Sequence, residues 1–150
     1  MFFTVSQSEI IKSINQFGAN KLGYQVDELI GKKISLIVHN EDNSASENNL
    51  NNCFAFPEKV HHWELRKVHK NGEIIYVKVT VRVVIENSEE NLFIVCEDIS
   101  ENHKLSQKLS YQATHDSLTG LINRREFERQ LENIINQSKE TTDEHEMCYL

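Results

Sequence analysis

The chain has 150 residues, 39% of them hydrophobic, and a formal net charge of −7, which suits one ordinary globular domain plus something smaller. The acidic balance speaks against DNA or RNA as a partner, because such affinity needs clustered Lys and Arg to neutralise phosphates, and the basic pairs Lys32-Lys33 and Arg124-Arg125 stand isolated. No stretch approaches the roughly 20 apolar residues of a membrane-spanning helix, and Met1-Phe2-Phe3 is too short and lacks the basic flank of a signal peptide. The three cysteines, Cys53, Cys96 and Cys148, form no CxxC pair; they fit buried thiols in a reducing cytoplasm rather than disulfides or zinc.

In chain order, Phe2 to Ser6 and Ile10 to Asn15 read as short strands joined by the turn Gln7-Ser8-Glu9. Gln16 to Val38 reads as short helical turns, because Gly18, Gly23 and Gly31 interrupt any longer helix. Asp42-Asn43-Ser44 offers cap chemistry for a helix running toward Phe54, and Pro57 marks the break before the chain turns extended again. His61 to Val68 alternates in polarity, Asn71-Gly72 is a hairpin signal, and Ile75, Val77, Val79, Val81 and Val83 then alternate strictly with Tyr76, Lys78, Thr80 and Arg82. That period of two describes half-buried antiparallel strands. After a polar turn from Glu86 to Asn91, Leu92 to Cys96 supplies a last strand. The expected fold is α+β: a five-stranded antiparallel sheet with short helices on one face.

The order Asn15, Leu22-Gly23-Tyr24, Glu28-Leu29-Ile30-Gly31, Trp63-Glu64-Leu65, Lys70-Asn71-Gly72 and Glu97-Asp98-Ile99-Ser100 resembles a PAS sensor domain over residues 1–100, with Ser in place of Thr in the closing Asp-Ile-Thr motif. One departure is Glu9, where many members carry Gly in the first turn. The resemblance implies a core cavity that holds haem, flavin, a small metabolite or nothing. Trp63, Val77, Val79 and Val81 are its candidate lining residues, although each reads first as core. An apolar cavity there suits a hydrophobic metabolite or flavin ring rather than a charged acid.

Cofactors find little support in the residues. The segment Lys32-Lys33-Ile34-Ser35-Leu36-Ile37 lacks the cysteine that photoactive flavin members use. His39 precedes the helix on which haem-binding members place their axial ligand, and reads as a turn histidine. His61 and His62 are neighbours on a strand and face opposite sides, so they form no metal pair. The purified chain is expected to carry no cofactor, and the identity of any small-molecule ligand stays open.

Residues 101–115 read as a polar linker helix, with Asp98 and Glu101 as a capping pair and Leu105, Leu109 and Gln112 as a thin stripe. That stripe is too narrow to bury alone; it suits pairing with a second copy or a solvated linker helix, and the resemblance to PAS domains implies a homodimer. Residues 116–150 then begin Asp116-Ser117-Leu118-Thr119-Gly120-Leu121-Ile122-Asn123-Arg124-Arg125-Glu126-Phe127. This run resembles the entry sequence of GGDEF domains, the diguanylate cyclases, Asp-x-Leu-Thr-Gly-Leu-x-Asn-Arg-Arg-x-x-Phe. Phe127, Leu131, Ile134 and Ile135 mark an amphipathic helix, Asn136 to Glu146 a polar loop, and Met147 to Leu150 the opening of a strand.

In that family the metal-binding aspartate and the Gly-Gly-Asp/Glu-Glu-Phe signature follow further on. Residues 1–150 are therefore expected to lack cyclase activity. Three roles follow from the resemblance: a sensor relaying a signal to a cyclic di-GMP output domain, a piece of a diguanylate cyclase or phosphodiesterase, or a ligand-free dimer platform. A relay would run through Asp98, Ser100, Leu105, Leu109, Asp116, Thr119 and Gly120.

Overall fold

Strict alternation along the strands and glycine-broken helices between them set the architecture seen in the computed structural model, which describes residues 1–86 and 88–140, with side chains as far as residue 136. The described chain forms two compact units, the first spanning Met1–His103 and the second beginning at Lys104.

In the first unit, β1 (Phe2–Ser6) and β2 (Ile11–Ile14) form an antiparallel hairpin. Its turn places Glu9 at φ 64°, a left-handed conformation that glycine adopts without cost and a residue with a Cβ does not. Ile10, expected within β2, instead pairs with Lys33. Asn15 closes the strand, and its Oδ1 accepts from Phe2 N at 3.0 Å and Gly18 N at 3.2 Å, tying the start of α1 (Gln16–Lys21) to β1. Gly23, at φ 77°, turns the chain toward α2 (Val26–Leu29), where an added Cβ would lie 2.4 Å from the His69 ring. Single 3-10 turns at Ile34–Ile37 and Asn40–Asp42 precede α3 (Asn43–Ala55).

Asp42 stands at the cap position of α3, as expected, but its carboxylate makes no cap bond there. It accepts instead from Arg66 N at 2.8 Å and from the Arg66 guanidinium, which also reaches Glu41. A guanidinium outcompetes a backbone amide for a carboxylate. This cluster ties the loop before α3 to the outer strand of the sheet.

Strands β3 (His61–Val68), β4 (Ile74–Glu86) and β5 (Glu89–Asp98) complete an antiparallel sheet in the order β2-β1-β5-β4-β3. Both β4 and β5 run past their apolar alternation, and the expected polar turn from Glu86 to Asn91 shrinks to the link between paired Glu86 and Glu89. Cross-strand pairing extends through polar residues once an adjacent apolar register is fixed; Lys12 supplies Glu89 with a counter-charge at 2.6 Å. Val77 and Val81 are fully buried with Phe3, Val5, Ile11, Leu92 and Ile94 on one face, covered by Leu22, Leu29, Ile37, Leu50 and Cys53 from the helical segments.

Helix α4 covers Ser100–Thr114, beginning and ending one residue before the expected 101–115, and buries none of its side chains. Helix α5 covers Arg124–Glu140, so the start of the expected polar loop at Asn136 is helical. Its Gln, Ser, Lys and Glu residues are compatible with continuing a helix, and no glycine or proline stops it. The remainder of that loop, the strand expected at Met147 to Leu150 and Cys148 lie outside the described residues.

Candidate functional site

The pleat of β3 decides which side chains enter the core. Trp63, Leu65 and Lys67 share one face and pair with Val79, Val77 and Ile75 of β4. Val77, Val79 and Val81 are buried, and Trp63 packs against them partly buried. Trp63 Nε1 is itself buried and has no hydrogen-bond acceptor. Histidine placement follows the same parity: His61 Nε2 lies 3.2 Å from Phe56 O, while His62 Nδ1 lies 3.0 Å from Thr80 Oγ1 on the outer face. His39 Nδ1 accepts from Glu41 N at 3.4 Å within its turn. The described residues contain no group of three or more His, Cys, Asp or Glu side chains able to hold a metal ion.

Lys67 lies on the same face of β3 as Trp63, beside the expected apolar lining. It is 1% exposed, and its Nζ lies 4.8 Å from the centroid of the Phe3 ring. In the sequence it passes for one more charged residue in an alternating run; its parity with Trp63 and Leu65 is the signal that would have found it. Burial pushes its pKa below the ordinary lysine value. Cys53 and Cys96 are core residues, and burial raises the Cys53 thiol to about 11.

A second constellation forms where β5 ends. Asp98 Oδ2 lies 2.8 Å from Lys21 Nζ, and Asp98 Oδ1 accepts from Ser100 N at 2.9 Å. Burial opposes the Asp98 charge, but Lys21 and Ser100 outweigh it and hold the carboxyl below the usual carboxylate range. Ser100 Oγ accepts from Tyr76 N at 3.0 Å, Ile99 N donates to Tyr76 O at 2.9 Å, and the Tyr76 ring stacks on His103 with centroids 3.8 Å apart. Asp98 therefore bonds two residues on, and no bond returns from Glu101, so the expected reciprocal capping pair is absent here. The last strand, α1 and the first turn of α4 meet at one carboxylate.

Leu105 and Leu109 on α4 are 56% and 58% exposed. In the second unit, Asp116 Oδ1 accepts from Leu118 N, Thr119 N and Thr119 Oγ1 at 2.9–3.2 Å, and Gly120 follows at φ 71°. Asp116, Thr119 and Gly120 are thus parts of one turn. Asn123 Oδ1 then accepts from Glu126 N at 2.9 Å and Asn123 Nδ2 donates to Ala113 O at 2.8 Å, starting α5. Phe127, Ile134 and Ile135 remain 41–46% exposed along α5. No helix of the described residues is long and apolar enough to cross a membrane.

Comparison with known proteins gives these geometries a family. The family model for the PAS domain matches residues 1–101. Among curated proteins, the probable diguanylate cyclase DgcE of Escherichia coli K12 is 30% identical over 76 residues, which is 51% of this chain and 7% of that protein. Diguanylate cyclase DgcM of the same strain is 32% identical over 68 residues, 44% of this chain and 17% of that protein. The chain thus spans less than a fifth of either relative. Two solved structures share the fold at a TM-score of 0.59. One is the PAS domain of an HTR-like protein from Haloarcula marismortui, at 20% identity, covering 66% of this chain and 80% of that one. The other is a PAS domain from Desulfitobacterium hafniense, at 24% identity, covering 65% and 91%. With sheet order, helix placement and family match in agreement over its first two thirds, the chain belongs to the PAS domain family.

Proposed function

We propose that this chain is the cytoplasmic sensory module of a cyclic di-GMP signalling protein, working as a homodimer and relaying a signal through α4 to a GGDEF output domain. The observation that carries the reading is the Asp98 joint, where one carboxylate binds Lys21 of α1 and the first amide of α4. A hydrogen bond to a charged group contributes about 1.5–3 kcal/mol, the size of a typical allosteric coupling of about 1–3 kcal/mol. A change in the sensory core that moves α1 or β5 therefore has a mechanical path into the helix. The similarity to two diguanylate cyclases and the turn built by Asp116, Thr119 and Gly120 support a GGDEF output. Exposed Leu105 and Leu109 on an otherwise polar helix support pairing of two α4 helices.

The test is the phase of the helix. Residues 1–123 are joined to an active GGDEF domain, and one residue or seven are inserted after Gln107. One residue rotates everything beyond it by about 100°, whereas seven nearly restore the phase of a paired helix. The reading expects the single insertion to alter cyclic di-GMP production and the heptad insertion to preserve it. Equal output from both would overturn the relay.

A further inference from the structure

Asn71 is the only asparagine of the chain followed by glycine, and both residues are exposed at the tip of the β3–β4 hairpin. Hydrogen bonds build the turn: Gly72 N donates to His69 O and His69 N to Glu73 O, each at 2.8 Å, and Gly72 takes φ 91°. The Asn71 side chain folds back into it. Its Oδ1 accepts from Glu73 N at 2.9 Å and lies 2.6 Å from His69 Nδ1. The bond from Glu73 N fixes that atom as the amide oxygen, and an oxygen so close to Nδ1 requires a hydrogen between them. His69 Nδ1 is therefore a donor, and Asn71 N, 3.1 Å from the same nitrogen, finds no lone pair there.

Two donors converging on one carbonyl oxygen stabilise negative charge as it develops there. Oδ1 takes up such charge when a nucleophile adds to Asn71 Cγ. The bond to Glu73 N curls the side chain around the intervening Gly72, which brings Cγ to the side of Gly72 N. Glycine adds no side chain to block the approach, and even a Cβ built at Gly72 would meet nothing within 4 Å. The bond from Gly72 N to His69 O opposes the attack, but exposed turn bonds open far more readily than those of core strands.

We propose that Asn71 is a site of spontaneous deamidation. Gly72 N attacks Asn71 Cγ and gives its proton to water, the Cγ–Nδ2 bond breaks, and ammonia leaves as a five-membered succinimide closes. Water then opens that ring at either carbonyl and leaves aspartate or isoaspartate at position 71, with nothing oxidised or reduced. The two products act differently on the turn. Aspartate keeps an oxygen for Glu73 N, whereas isoaspartate runs the backbone through the former side chain, lengthens it by one methylene and takes that oxygen away. The same turn docks on the link between α1 and α2, where Lys70 N donates to Leu22 O at 2.9 Å and Lys70 Nζ lies 2.6 Å from Glu28. Isoaspartate therefore loosens the hairpin from the residue next to Lys21, a slow change in the sensory unit that is independent of the helix relay.

The experiment holds the full chain in warm, mildly alkaline buffer and samples it over time. Peptide mass mapping locates each converted asparagine, and isoaspartate methyltransferase with labelled S-adenosylmethionine counts isoaspartate. The expected result is conversion at Asn71 ahead of every other asparagine, with labelling that falls to background in Asn71→Ser. His69→Leu removes one donor to Oδ1 and should slow conversion about fivefold, as loss of one ordinary hydrogen bond implies. The isolated isoaspartate form should melt below the wild type, whereas Asn71→Asp should melt with it. An unmodified Asn71, faster conversion at another asparagine, or an unslowed His69→Leu would overturn the site. An isoaspartate form that melts with the wild type would overturn its effect on the turn. The ranking of asparagines in the wild type needs no variant, so it decides the matter even where His69→Leu fails to fold.

Discussion

Replacing Asp98 by Ala removes the two bonds its carboxylate makes, to Lys21 and to Ser100 N, and its cost can be worked out from their exposure. The Lys21 and Asp98 side chains are 43% and 29% exposed, so solvent screening reduces their ion pair to about 0.5 kcal/mol. The bond from Ser100 N to the carboxylate acts as a local cap worth about 1 kcal/mol. The sum, about 1.5 kcal/mol, corresponds to a fall of about 6–12 °C for a unit of this size. Asp98→Asn keeps an acceptor for Ser100 N and loses only the charge, so it should fall by about 2–4 °C.

The assay is thermal melting followed by Trp63 emission, which reports on the first unit. The folded pKa of Asp98 lies below its usual value, so its contribution is complete above the unfolded pKa of about 3.9 and is lost as pH falls through the folded value. The gap between wild type and Asp98→Ala should hold near neutral pH and narrow as acid protonates the wild-type carboxylate, below its unfolded pKa. A mutant as stable as the wild type at neutral pH, or a gap unchanged on acidification, would refute the reasoning.

Glu9→Gly should stabilise the chain by about 0.5–1 kcal/mol in urea unfolding, because φ 64° at that turn suits glycine. Asp42→Ala should destabilise it by about 1.5–3 kcal/mol, since Arg66 and its amide lose their shared acceptor. The Arg66 hydrogen bonds hold the Asp42 carboxyl below its ordinary range, so that loss should shrink as acid protonates the wild-type carboxylate. Incubated with GTP and magnesium, residues 1–150 should release no cyclic di-GMP above a blank without protein.

The sheet was legible because Ile75 to Val83 and His61 to Val68 carry a period of two that water and core impose directly. Their hidden extensions were not, because pairing at Glu89 and Glu90 is dictated by the partner strand rather than by local polarity. Asp42 shows a related limit: its position before α3 is readable, but the guanidinium that claims it comes from Arg66, far along the chain. In the site, the parity of Trp63 could be read from the alternation, whereas the meeting of Lys67 with the Phe3 ring requires knowing what lies across the sheet. The Lys21–Asp98 pair is of the same kind. The sequence marks Asp98 as the end of a strand, and only folding brings the C-terminal turn of α1 beside it.

The central claim, that the Asp98 joint transmits the state of the sensory unit, is tested most directly by cyclic di-GMP production from residues 1–123 fused to an active GGDEF domain. Wild type and Asp98→Ala fusions are compared well below their melting temperatures, with Trp63 emission confirming that the sensory fold is intact. The account predicts that Asp98→Ala shifts output to a new level while the fold remains. An output identical to that of the wild type, in a fusion whose only defect is lower melting temperature, would contradict it and leave Asp98 as a structural cap.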